Sequence, residues 1–148
     1  MKKPLLEDTV RGRVLELSEE SLNKLLSEAE RVLRNSYAPY SNVHVASAIL
    51  SDRGRIYVGV NVENSSYGLT ICAERSAVSA MIAGGDRIIV AIAIVTDYPE
   101  PLMPCGACRQ VIAEFSQNPL IISYSTSTGR VHAVKLSDIF PKPFKLIK

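Results

Sequence analysis

Apolar residues first recur at helical spacing after Ser18. Leu22, Leu25, Leu26, Ala29, Val32 and Leu33 fall on one face of a helix. Ser18 suits the cap position, and Glu19 and Glu20 suit the positive end of the dipole. The stretch Tyr37-Ala38-Pro39-Tyr40-Ser41 breaks the pattern. Two strand-like segments follow, Val43 to Leu50 and Arg55 to Val62, joined by a short connection at Asp52-Arg53-Gly54. Residues 61–71 are polar and irregular. Cys72 to Ala83 reads as a second helix, ended by Gly84-Gly85. Ile88 to Val95 is an unbroken apolar, β-branched run, the mark of a strand buried on both faces. A loop with Pro99, Pro101 and Pro104 leads into a third helix, about Cys105 to Phe115. Leu120 to Tyr124 and Val131 to Lys135 read as two last strands, and Ser137 to Phe140 as a helical turn.

Helices alternating with buried strands predict an α/β fold, a mixed sheet covered on both faces. The unit Ile88–Val95, helix, Leu120–Tyr124 predicts a right-handed crossover between parallel strands. Residues 1–17 show no clear period, and no element is predicted there. Residues 18–148 read as one domain, because neither a linker nor a repeat interrupts them.

Composition narrows the function classes. The chain has 148 residues, 47% hydrophobic and 22% charged, as in an ordinary soluble domain. Its net charge of +2 gives no electrostatic reason to expect a nucleic-acid or membrane partner. No apolar run approaches the roughly 20 residues of a membrane span. The early apolar residues Pro4, Leu5 and Leu6 are cut off by Glu7 and Asp8, unlike a secretion signal. The expected location is the cytoplasm. There the three cysteines, two of them in Cys105-Gly106-Ala107-Cys108, point to metal binding or catalysis rather than disulfides.

Both cysteine groups, Cys72-Ala73-Glu74 and Pro104-Cys105-Gly106-Ala107-Cys108, open predicted helices. A helix N-terminus offers unpaired N–H groups and partial positive charge, which favour thiolates. Three thiolates suit Zn²⁺, and three protein ligands leave one tetrahedral position open, as catalytic zinc sites do. No fourth cysteine exists, and His44 and His132 lie in strand-like segments. Taken alone, Glu74 is an ordinary first-turn glutamate. Two residues from a ligand, it can lean over the metal without binding it and move protons. Three thiolates leave excess negative charge, which Arg75, or less directly Arg109, could offset.

The pattern Cys72-Ala73-Glu74 … Pro104-Cys105-Gly106-Ala107-Cys108 is the three-cysteine form of the zinc nucleobase deaminase signature. From about Tyr37 to Phe144 the chain resembles the small cytidine deaminases. That resemblance implies a three-layer α/β/α sandwich with a five-stranded mixed sheet, one Zn²⁺ per subunit and a homotetramer. It implies hydrolytic deamination of cytidine and 2′-deoxycytidine, releasing ammonia, in pyrimidine salvage. It implies that Asn61 and Glu63 hold the ribose 3′-hydroxyl, and that Tyr67 lines the site near the sugar. It also places Ala73 among the substrate contacts and sends Phe144 into a neighbouring subunit's pocket. The sequence departs from the family at Val43, where a phenylalanine often faces the pyrimidine. Valine keeps an apolar contact and loses ring stacking. A relative acting on blasticidin S shares the zinc motifs and a stretch like Val45-Ala46-Ser47-Ala48. Asn61 and Glu63 together favour a nucleoside.

Overall fold

The structure, a computed structural model, describes residues 17–146. The segment 1–17, for which the sequence predicts no element, lies outside the described residues except for Leu17. Helix α1 spans Glu19–Leu33, and Ser18 caps it by accepting a hydrogen bond from the Ser21 N–H. Strands β1 (Val45–Ser51) and β2 (Ile56–Val60) follow. A 3₁₀ turn, Tyr67–Leu69, precedes α2 (Ala73–Ala83), then come β3 (Ile89–Thr96) and α3 (Gly106–Glu114). Strands β4 (Leu120–Ser125) and β5 (Val131–Lys135) and the short α4 (Leu136–Ile139) complete the described chain.

The five strands form one sheet in the order β2-β1-β3-β4-β5. Only β3 and β4 run parallel, and the other three pairings are antiparallel. The mixed sheet and the parallel pair agree with the sequence expectation.

Two apolar layers flank the sheet, and alternation along β3 supplies both. Ala91, Ala93 and Val95 face α1, packing with Leu22, Leu25, Leu26 and Ala29. Ile92 and Ile94 face α2 and α3, packing with Val78, Met81 and Ile112. The sheet is thus the middle of three layers. The small residues Ala46, Ala48, Ala91 and Ala93, all fully buried, let α1 lie close to its face.

The opposite face positions the site. Gly59 of β2 lies directly beneath α2, and a Cβ there would come 2.4 Å from the Ala77 nitrogen and 2.7 Å from the Ala73 oxygen. Both are backbone atoms, so only glycine permits this contact. Gly59→Ala should therefore push α2 outward, together with Cys72 and Glu74 at its start. Overpacking of this kind costs about 1–3 kcal/mol. Denaturant titration and metal analysis of the variant should show lower stability and a lower zinc content. Unchanged stability with full metal would contradict the close packing.

Strand and helix ends shift by one or two residues from expectation, each for a local reason. Val43 and His44 stand outside β1, because side chains rather than the ladder hold them. Cys72 and Cys105 are not the first helical residues but the caps preceding α2 and α3, with extended backbones.

Candidate metal centre and substrate pocket

Two helix N-termini meet above the C-terminal end of β3. Cys72 caps α2, Cys105 caps α3, and Cys108 stands in the first turn of α3. The parallel crossover explains the meeting, since the β3–α3 connection must emerge at that end of the sheet. The three sulfurs lie within 4.8 Å of one another, and Cys72 Sγ is 3.8 Å from Cys105 Sγ. Zinc–sulfur bonds of about 2.3 Å at tetrahedral angles put sulfurs about 3.8 Å apart.

The charge state of the cluster fits a dication. Hydrogen bonding from Cys108, with Arg75 assisting, pulls the Cys72 thiol down to about 5. The Cys108 thiol moves the other way, raised by its bond to Cys72, by burial and by the charge of Glu74. Cys72 takes a negative charge readily and Cys108 resists a second beside it, which a bound cation would relieve. All three cysteines are free thiols.

Glu74 occupies the second position of α2 and is only 5% exposed. Burial pushes its carboxyl up to about 7. A carboxyl in that range can accept and return a proton near neutrality.

Arg75 donates through Nη2 to the Thr70 carbonyl at 3.2 Å and to Cys72 Sγ at 3.8 Å. Arg109 turns away from the sulfurs. Its Nε donates to the Pro104 carbonyl and its Nη1 to the Ile139 carbonyl. It braces the loop before Cys105 against the C-terminal segment.

A pocket of about 260 Å³ opens over the cluster. It brings together Val43, Asn61, Glu63, Cys72, Ala73, Glu74 and Cys105. Cys72, Ala73, Glu74 and Cys105 line one part of it, and Val43, Val45 and Ile94 add apolar contact.

Glu63 is held by its neighbours. One carboxylate oxygen accepts from the Tyr40 and Ser41 N–H groups, and the other accepts from the Ser41 hydroxyl. The Ser41 hydroxyl bond is the main reason its carboxyl sits below the ordinary range. The Asn61 side chain ties the segment entering β1 to Ser36. Its Oδ1 accepts from the Val45 N–H and from the Ser36 hydroxyl, and its Nδ2 donates to the Val43 carbonyl. One Nδ2 hydrogen then remains for a ligand.

Tyr67 and Phe144 are not drawn into this pocket. Tyr67 is 75% exposed and meets Tyr40 edge-to-face across an adjoining hollow. Phe144 is 71% exposed, with its carbonyl tied to Gln110 Nε2. Leu102 and Met103 also line the pocket, and the sequence reading did not single them out. The signal was present: two apolar residues stand in a proline-rich loop immediately before Pro104-Cys105. A loop exposed to water gives such side chains no reason to be there.

Three thiols and a carboxyl gathered at two helix N-termini can hold a zinc ion with one position open and a proton acceptor beside it. The family described as the cytidine and deoxycytidylate deaminase zinc-binding region matches residues 19–124. A cytidine deaminase of Sporosarcina psychrophila is 38% identical over 83% of this chain and 90% of its own. One from Halalkalibacterium halodurans is 40% identical over 81% of this chain and 91% of its own. The crystal structure of a cytidine deaminase from Burkholderia pseudomallei superposes with a TM-score of 0.78 at 36% identity, covering 86% of this chain and all of that one. The chain belongs to the cytidine and deoxycytidylate deaminase family. It is a zinc-dependent hydrolase.

Proposed function

We propose that the enzyme deaminates cytidine and 2′-deoxycytidine to uridine and 2′-deoxyuridine, releasing ammonia, as a step of pyrimidine salvage. One observation carries this reading: a buried carboxyl, Glu74, stands beside a three-sulfur cluster at the base of an apolar pocket, with Glu63 and Asn61 in its wall. Relatives of similar length with 38–40% identity are named cytidine deaminases.

Cys72, Cys105 and Cys108 are the residues that would hold the zinc. When bound, zinc activates water as a nucleophile near neutral pH. Glu74 takes the proton given up by that water and delivers it to ring N3 as oxygen adds to C4. It then carries a second proton from the added oxygen to the exocyclic nitrogen, the C4–N4 bond breaks, and ammonia leaves. Arg75 withdraws charge from Cys72 through the contact at Sγ. Val43, Val45 and Ile94 offer the base apolar surface. The Glu63 carboxylate and the remaining Asn61 N–H meet the 3′-hydroxyl, and Ala73 lies against the base.

The same reading makes the enzyme a homotetramer. Tyr37, Tyr40, Val62, Tyr67, Leu69 and Ile71 are exposed apolar side chains clustered around the site, and Phe144 is exposed near the C-terminal end. Covering them would complete the sugar side of the pocket, with Tyr67 and Phe144 in the contact. Three free thiols suit the reducing cytoplasm. No helix among the described residues is long and apolar enough to cross a membrane.

The test is ammonia release from cytidine, 2′-deoxycytidine, their 5′-monophosphates and blasticidin S, with zinc measured alongside. Recognition through the 3′-hydroxyl predicts that both nucleosides react. The anionic Glu63 predicts that the monophosphates react more slowly. Faster turnover of deoxycytidine monophosphate or of blasticidin S would replace the proposed substrate.

A further inference from the structure

The pocket has two walls built from distant parts of the chain, and one carboxylate joins them. The first wall is residues 43–45, just before and at the start of β1. The second is the loop after β3, which carries Leu102, Met103 and Cys105. Asp97 is the first residue of that loop.

Its carboxylate grips His44 twice. Oδ1 accepts from the His44 backbone N–H at 3.1 Å, and Oδ2 lies 2.7 Å from the ring Nδ1. The neighbouring Thr96 hydroxyl donates to the His44 carbonyl at 2.8 Å. Backbone pairing between β1 and β3 ends at Val45 and Thr96. The Asp97 side chain therefore extends the connection one residue beyond the ladder. On the other side of the same segment, Asn61 holds the Val43 carbonyl and the Val45 N–H. Val43 and Val45, which line the pocket, flank the gripped residue.

The pair contributes little to stability, because it is a surface contact. The His44 and Asp97 side chains are 33% and 46% exposed. Its geometric effect is larger. Among the described residues no ladder bond fixes residues 43 and 44, so their distance from the 97–105 loop depends on these side-chain contacts.

We propose that Asp97, acting through His44, is a positioning residue that fixes the separation of the two pocket walls and so sets affinity and size selectivity for the heterocycle. The inference rests on the proposed cytidine deaminase activity. Residue 44 touches none of the sulfurs and is not part of the proton-transfer path. Loosening it should weaken binding in the ground and transition states alike.

The experiment compares Asp97→Ala, Asp97→Asn, His44→Ala and the double Ala variant, each with zinc content and melting temperature measured. For Asp97→Ala, KM for cytidine should rise about tenfold, with kcat within about threefold and zinc retained. His44→Ala loses only the ring contact, so its KM should rise less. The double variant should match Asp97→Ala, because both residues act through one contact. Asp97→Asn keeps an acceptor for the backbone N–H and should recover part of the loss. The preference for cytidine over a cytosine nucleoside bearing a bulky 5-substituent should narrow in Asp97→Ala.

A lower melting temperature with wild-type KM and wild-type preference would overturn the proposal, leaving Asp97 a structural residue. A fall in kcat at constant KM would overturn it too. Titration with uridine separates this inference from the activity it rests on. Should the wild type release no ammonia from any cytosine nucleoside, the activity reading fails by itself. Tenfold weaker uridine binding by Asp97→Ala would then still support the positioning role, and equal binding would refute it.

Discussion

Glu74→Gln should lower kcat by about 10³–10⁴ while leaving zinc bound and the fold intact. General acid–base catalysis contributes about 10²–10⁴ in rate. The upper part of that range is expected here, because in the proposed mechanism one carboxyl handles every proton the reaction moves. Glutamine has nearly the same size and carries no charge, so the buried site should accept it. Glu74 is 5% exposed and sits in the first turn of α2, which the backbone places whatever its side chain carries. Loss of an interaction made only during reaction lowers kcat and kcat/KM together. Steady-state kinetics on cytidine, with zinc quantified in the same preparation, checks each part. An active, zinc-loaded Glu74→Gln enzyme would remove the proton shuttle from the mechanism. A zinc-free variant would instead show that Glu74 supports the cluster.

The sequence made the chemistry more legible than the pocket, and the reason is range. Cys72 and Glu74 sit two residues apart at the start of one helix, and Cys105 and Cys108 sit three apart at the start of another. Local spacing and the N-terminal position are both visible in a linear reading. The single parallel crossover then brings the two starts together. The fold was legible for similar reasons. The alternating alanines and isoleucines of β3 and the one-sided face of α1 are short-range patterns that assign each element its layer.

The pocket walls depend on pairings that no local pattern encodes. Val43 belongs to a strand-like run, yet it lies outside β1. The segment is held by Asn61, 18 residues further on, and by Asp97, 53 residues from His44. Asn61 also has more to do than the proposed sugar contact asks of it. It supports residues 36, 43 and 45 before it meets any ligand. Replacing it would disturb the wall at Val43 and Val45 as well as the proposed sugar contact. Tyr67 and Phe144 lie outside that pocket. Both are exposed, and Tyr67 borders a hollow that shares Ser41, Glu63 and Thr70 with the pocket.

Cys108→Ser should abolish zinc binding and with it essentially all activity. Cys108 is fully buried, and its sulfur lies within 4.8 Å of those of Cys72 and Cys105. A serine hydroxyl is a far poorer zinc donor than a thiolate, and two remaining sulfurs cannot hold the metal in a catalytic geometry. Zinc content should fall from one per chain toward zero. Activity should fall by at least about 10³, since bound metal is what generates the nucleophile. Stability should change as well. A ligand that binds only the folded state stabilises it by about 4 kcal/mol at a thousandfold excess over Kd. The wild type should therefore melt at a lower temperature after treatment with a strong chelator and recover when zinc is returned, whereas Cys108→Ser should respond to neither. Acidification should act like the chelator, because zinc and protons compete for the same sulfurs. Metal analysis, melting curves with and without chelator, and ammonia release together decide the matter. Stoichiometric zinc in Cys108→Ser, or wild-type activity after complete removal of the metal, would mean that these three thiols are not the catalytic centre.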